Sequence, residues 1–95
     1  MTYYIALIHK EPDSVYGVSF PDLPGVTAAA DNLDGAMQAA AEVLAFAAAD
    51  WREISQQAIP KPRTIDEIRD DPALVDDLAD AIVAAVPMTE PALAA

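Results

Sequence analysis

The chain has 95 residues, of which 54% are hydrophobic, with sixteen acids against five bases, a formal charge of −11 and no cysteine. That length builds one domain around a single core, and the missing cysteines exclude disulfides, thiolate chemistry and cysteine zinc sites. The charge argues against phosphate-backbone binding, which needs clustered Lys and Arg; with no apolar run near the ~20 residues that span a bilayer and no signal-peptide pattern, a reducing cytoplasm is expected.

Thr2 to Lys10 reads as a strand, with Tyr3, Ile5 and Leu7 pointing one way and Tyr4, Ala6 and Ile8 the other. Both sets are apolar, the pattern of a central strand covered on both faces. Glu11-Pro12-Asp13-Ser14 is a turn by composition. Val15 to Phe20 returns as a second strand, so the pair forms an antiparallel hairpin. Pro21-Asp22-Leu23-Pro24-Gly25 stops that strand and reverses the chain, and Val26 to Ala30 makes a short third strand.

Asn32 to Gln57 is the long helix. Leu33, Met37, Ala40, Leu44, Ala47, Trp51 and Ile54 recur at steps of four and three, which holds them on one side of a 3.6-residue turn. Ala36, Ala39, Val43 and Phe46 form a weaker second stripe, and alanine, the best helix former, fills most other positions. Asn32 is the N-cap, with Asp34 in the first turn where the helix dipole favours negative charge. An apolar face this broad predicts a sheet beneath it.

Ala58 to Arg63 is an extended connector stiffened by Pro60 and Pro62. Thr64 and Glu67 form a capping box opening a short helix, with Ile65 and Ile68 inward. Asp71-Pro72 starts another that carries Leu74, Val75 and Leu78. From there periodicity allows a helix to Val86, but Ile82, Ala84, Val86 and Met88 also alternate as one face of a strand. The strand reading, Ala81 to Met88, requires Pro87 to lie on a sheet edge.

These elements predict an α+β fold. A three-stranded antiparallel meander takes a fourth edge strand in the order 3-2-1-4, with one long helix on one face and short acidic helices outside. One crossover helix would lay strand four parallel to strand one. The second face would lack cover in a monomer, so a homodimer is expected.

Little chemistry stands out. His9 is the single histidine, beside Lys10 at a strand end, and reads as a surface residue. Ser14, Ser19 and Ser55 lack a nucleophile-elbow context, and the three glycines are isolated. Asp70-Asp71 and Asp76-Asp77 could hold a divalent ion, but adjacent helical residues diverge by about 100°, which favours a solvated face. No catalytic residue, metal ligand or cofactor is expected. The charge is uneven, however: Thr64 to Asp80 holds Asp66, Glu67, Asp70, Asp71, Asp76, Asp77 and Asp80 against the single base Arg69, a net of −6. Such a segment either keeps the domain soluble or attracts a basic partner.

The ordered features resemble the HicB-type antitoxins of bacterial toxin–antitoxin pairs. Tyr3 to Val26 is similar to the family's strand, turn and "G-V-x-F-P-D-L-P-G" opening, with Phe20, Pro21, Asp22, Leu23, Pro24 and Gly25 its most specific part. Ala30 to Ala36 resembles the "G-D-T-L-E-E-A" run that starts the long helix, and Ile59-Pro60-Lys61-Pro62 resembles an "I-P-x-P" connector. Gly35 stands where the family has a helix former, and Ala30 where it has Gly or a polar residue. The resemblance implies a partial RNase H-like domain over residues 1–88, without the nuclease's carboxylate cluster. It also implies a tail at 89–95 that begins a linker to a DNA-binding segment missing here. Its expected partner is a small basic toxin, a HicA-like mRNA interferase. The uneven charge, not the family motif, makes Asp66, Glu67, Asp70, Asp71, Asp76, Asp77 and Asp80 the residues expected to face it. An oligomerisation or adaptor domain with another partner is the alternative, and a nuclease that keeps RNase H activity is a third.

Overall fold

The computed structural model describes residues 2–55 and 59–89. Strands β1 (Thr2–Lys10), β2 (Tyr16–Ser19), β3 (Thr27–Ala30) and β4 (Ile82–Met88) form one sheet in the order β3-β2-β1-β4. Helix α1 (Leu33–Ser55) follows β3, and two single-turn helices, α2 (Ile65–Arg69) and α3 (Val75–Ala79), flank a 3-10 turn at Pro72–Leu74. The α+β class, the strand order and the strand at Ala81 to Met88 are as the sequence predicts. Pro87, opposite Tyr3, lies on the edge strand, where a missing N–H costs no ladder bond. The tail from residue 90, and Gln57 and Ala58, lie outside the described residues.

Opposed residues share a face. Ile8 opposes Val18 and Ile82, and Tyr4 opposes Val86, so Tyr4, Ala6, Ile8, Val18, Ala84 and Val86 look the same way. On them sits α1, whose Ala36, Ala40 and Leu44 are fully buried; Phe20 and Leu23 complete this core. The small side chains of Ala36 and Ala40 in this core let the helix backbone sit near the sheet. The buried line therefore runs through Ala36, Ala40 and Leu44, with Met37, Val43 and Trp51 packed beside it. Leu33, the first helical residue, and Phe46, 68% exposed, face solvent instead of the core expected for them. The side chain of Ile54 lies outside the described ones. Asn32 caps the helix through its side chain, which accepts the Gly35 N–H at 2.7 Å. A Cβ at Gly35 would stand 3.1 Å from that same oxygen and 3.2 Å from the Ala30 Cβ, which accounts for glycine at a position suited to a helix former.

Strand β4 runs antiparallel to β1, not parallel to it. The long helix is only the first of two traverses. Tyr4 Oη, near the start of β1, donates to Pro60 O at 2.5 Å, and His9, at the other end of β1, meets Asp77 O at 2.7 Å. Residues 59–80 thus walk back the length of the strand and deliver the chain into β4 from the His9 end. Two traverses reverse the direction that one would give. His9, expected on the surface, is half-buried by this return.

The same return alters the second face. Leu7 and Ile68 are 1% and 0% exposed, yet neither belongs to the α1-side core. The return passes this side of the sheet at His9, which meets Asp77 O of α3. On the same face Tyr3, 52% exposed, and Val83, which opposes Leu7 and is 36% exposed, remain open. Val75, on α3, also faces solvent.

Candidate partner-binding surface

The turn after β2 is built by two successive chain reversals. Leu23 N–H donates to Phe20 O and Val26 N–H to Leu23 O, both at 3.0 Å. Gly25 adopts a φ of 90°, in the left-handed region that L side chains rarely enter, so glycine is required there. Phe20 and Leu23 drop into the core as anchors. Between them Asp22, whose side chain is 6% exposed, points away to receive a base from 41 residues on. Its Oδ2 accepts the Arg63 backbone N–H at 2.7 Å, and its Oδ1 accepts Arg63 Nε at 2.6 Å. Burial first, and the Asp22 charge second, push the Tyr4 phenol above its ordinary pKa.

From Arg63 the acidic segment unfolds residue by residue. Thr64 caps α2: its hydroxyl accepts Glu67 N–H at 3.2 Å while Glu67 Oε1 accepts Thr64 N–H at 3.0 Å. The capping box read from the sequence is therefore formed, and it engages Glu67. Asp71 caps the 3-10 turn through Ala73 N–H at 2.9 Å and binds Arg63 Nη1 at 2.8 Å. The Arg63 hydrogen bond, and then that of Ala73, hold the Asp71 carboxyl below the usual carboxylate range.

The seven candidate acids thus divide. Asp71 is half-buried and paired, and Glu67 is tied into its cap. Asp66, Asp70, Asp76, Asp77 and Asp80 are exposed, and among the described residues none of them forms an ion pair. They sit on the short helices outside the sheet, where the sequence places them. Among the described residues no three side chains of His, Cys, Asp or Glu are grouped to hold a metal ion, and no helix is long and apolar enough to cross a membrane. The Asp22–Arg63 pair is what sequence reasoning missed. Its one local sign is an acid set between two apolar anchors in a turn.

Residues 4–93 match a family described as the HicB-like antitoxin of bacterial toxin–antitoxin systems. The structure is similar to that of the Burkholderia pseudomallei antitoxin HicB, with a TM-score of 0.78 and 27% identity. That match covers 93% of this chain and 64% of the other, so the chain spans less than two thirds of that antitoxin. A structure of the N-terminal domain of the B. pseudomallei antitoxin HicB matches at a TM-score of 0.73 and 25% identity, over 93% of this chain and 99% of that one. A chain of a HicA3 and HicB3 toxin–antitoxin complex shares the fold at a TM-score of 0.69 and 21% identity, with the same two coverages. No curated protein matches.

Proposed function

The chain belongs to the HicB-like antitoxins of bacterial toxin–antitoxin systems, and from that premise we propose that it neutralises a small basic RNA-cleaving toxin by covering the toxin's RNA-binding and catalytic surface. The observation that carries this is the set of acids Asp66, Asp70, Asp76, Asp77 and Asp80, exposed and without an ion pair among the described residues, gathered on one short-helix segment. A toxin that cleaves RNA must present positive charge to the phosphate backbone. An acidic surface competes for that same charge, gains from long-range attraction and needs no chemistry of its own. The chain is assigned a binding role in the cytoplasm and no catalytic step. The HicA3 and HicB3 complex, in which a toxin and an antitoxin are held together, is consistent with this reading.

Co-expression with the basic product of the adjacent gene tests it. The chain should restore growth to cells making that product and should be pulled down with it in a salt-sensitive complex. Growth arrest that persists despite equal expression, with no complex recovered, would sink the proposal in favour of an adaptor role.

We also place a homodimer contact on the strip of the second face left open around Tyr3 and Val83, beside the edge strand β4. The expected result is a dimer by sedimentation at tens of micromolar, weakened when Tyr3→Ser and Val83→Ser are combined. A monomer at every concentration up to that range would count against it.

A further inference from the structure

We propose that Arg63 is a positioning residue for the partner-facing surface: by joining Asp22 of the turn after β2 to Asp71 at the 3-10 turn, it sets where the acidic segment lies on the sheet. The proposal rests on the antitoxin reading above for what the segment meets, and on geometry for how it is held.

Both oxygens of Asp22 are engaged by one residue, one by the backbone N–H of Arg63 and one by its Nε. The backbone at position 63 is therefore fixed along with the side chain, immediately before the Thr64 cap that starts α2. The remaining arm of the guanidinium reaches eight residues forward to Asp71, so the two ends of α2 are tied to a common point. That point is anchored, because Asp22 lies between Phe20 and Leu23, which are 2% and 0% exposed in the core. Apolar burial offers the segment little else. Ile68 is its one fully buried side chain, and the next tie is the His9 contact at Asp77 O. A helix of one turn cannot hold its own direction in water, so the clamp carries much of that task. Arginine suits it because its planar fork serves two carboxylates at once, which a lysine ammonium on a flexible stem does not.

Charge and position make opposite predictions here, and that separates them. Arg63→Gln leaves the segment more negative, which raises attraction for a cationic partner. If Arg63 acts by charge, removing it speeds association and tightens binding. If it positions the segment, removing it shortens the life of the complex, because the acids no longer hold one arrangement. Arg63→Lys keeps the charge and loses the fork, and so isolates geometry from charge.

The experiment combines hydrogen exchange on the free chain with association and dissociation rates against the purified basic toxin. In Arg63→Gln, amides of residues 65–79 should exchange about tenfold faster, the free-energy equivalent of one lost charged hydrogen bond, while those of β1 stay within about twofold. Association should hold or quicken, and dissociation should rise about tenfold. Arg63→Lys should fall between wild type and Arg63→Gln in both readouts. Unchanged exchange in the segment overturns the proposal whatever the binding does. Faster exchange with unaltered dissociation also overturns it, since the segment is then loosened without consequence for the partner. A wild-type chain that binds no basic toxin overturns the functional reading, and exchange alone then decides whether the clamp orders the segment. Should Arg63→Gln fail to fold, Asp71→Asn breaks the forward ion pair while an Asn cap and the Asp22 pair remain. Exchange in the segment and dissociation should again rise, association should slow because a negative charge is lost, and unchanged exchange overturns the proposal.

Discussion

Leu44→Ala is expected to destabilise the protein by about 2–5 kcal/mol, the range for removing a leucine from a buried site that cannot collapse. Leu44 is fully buried at the middle of α1, over the sheet face formed by Tyr4, Ala6, Ile8, Val18 and Val86. Its neighbours along the helix toward the N-terminus, Ala36 and Ala40, carry no side-chain atoms that could swing into the space. The β-sheet backbone beneath is held by its ladders. The cavity should therefore persist, and the loss should fall in the upper part of the range. Against a typical domain stability of about 5–15 kcal/mol, that is a large share. Gln38→Ala, one turn and a half away on the exposed side, should cost about 0.5 kcal/mol or less. Its hydrogen bond to Glu42 Oε1, at 3.5 Å, is at the limit of such a contact. Urea unfolding of the pair checks both, and coincident midpoints would show that the helix faces the other way.

The second large effect is on association. Changing Asp66, Asp70, Asp76 and Asp77 together to Asn should leave the chain folded and slow its binding to the basic toxin by about tenfold or more at low salt, with a flatter salt dependence. Asp71 is left intact although it belongs to the same acidic run. Asparagine would keep its cap but lose the Arg63 pair, so charge and position would change at once. The four chosen residues are exposed and make no ion pair among the described residues, so replacing them removes field and little else. Relief of their mutual repulsion should, if anything, raise the stability of the free chain slightly. Association rates measured across a salt series decide the matter: curves that superpose for the two proteins would assign these acids to solubility.

Local patterns settled a good part of this protein. The alanine-rich run with its 3–4 spacing could only be a helix with one broad apolar side, and the chain has it at Leu33–Ser55. Phe20 to Gly25 could only be a reversal, and Gly25 supplies the positive φ that such a turn needs. Pro87 restricted β4 to an edge, which, once β1 was central, left one slot and one strand order. Capping at Asn32, Thr64 and Asp71 was legible because a cap is written within three residues of the bond it makes.

What needed the folded chain was everything that depends on counting traverses or on pairs far apart. Strand direction follows from how often the chain crosses the sheet. Residues 59–80, read as a stiff connector and short outer helices, prove to be the second crossing, so β4 is antiparallel. Leu7 is buried and Tyr3 open, a division that strand periodicity could not make because both lie on the same face. Size misled at Leu33 and Phe46: the side of the helix turned to the sheet carries the small residues Ala36 and Ala40, which are buried, and the phenylalanine is not. Asp22 and Arg63 lie 41 residues apart with no shared period. A carboxylate in a turn and a base that follows a proline find each other only because two core residues of the turn and the chain's return path bring them within a hydrogen bond.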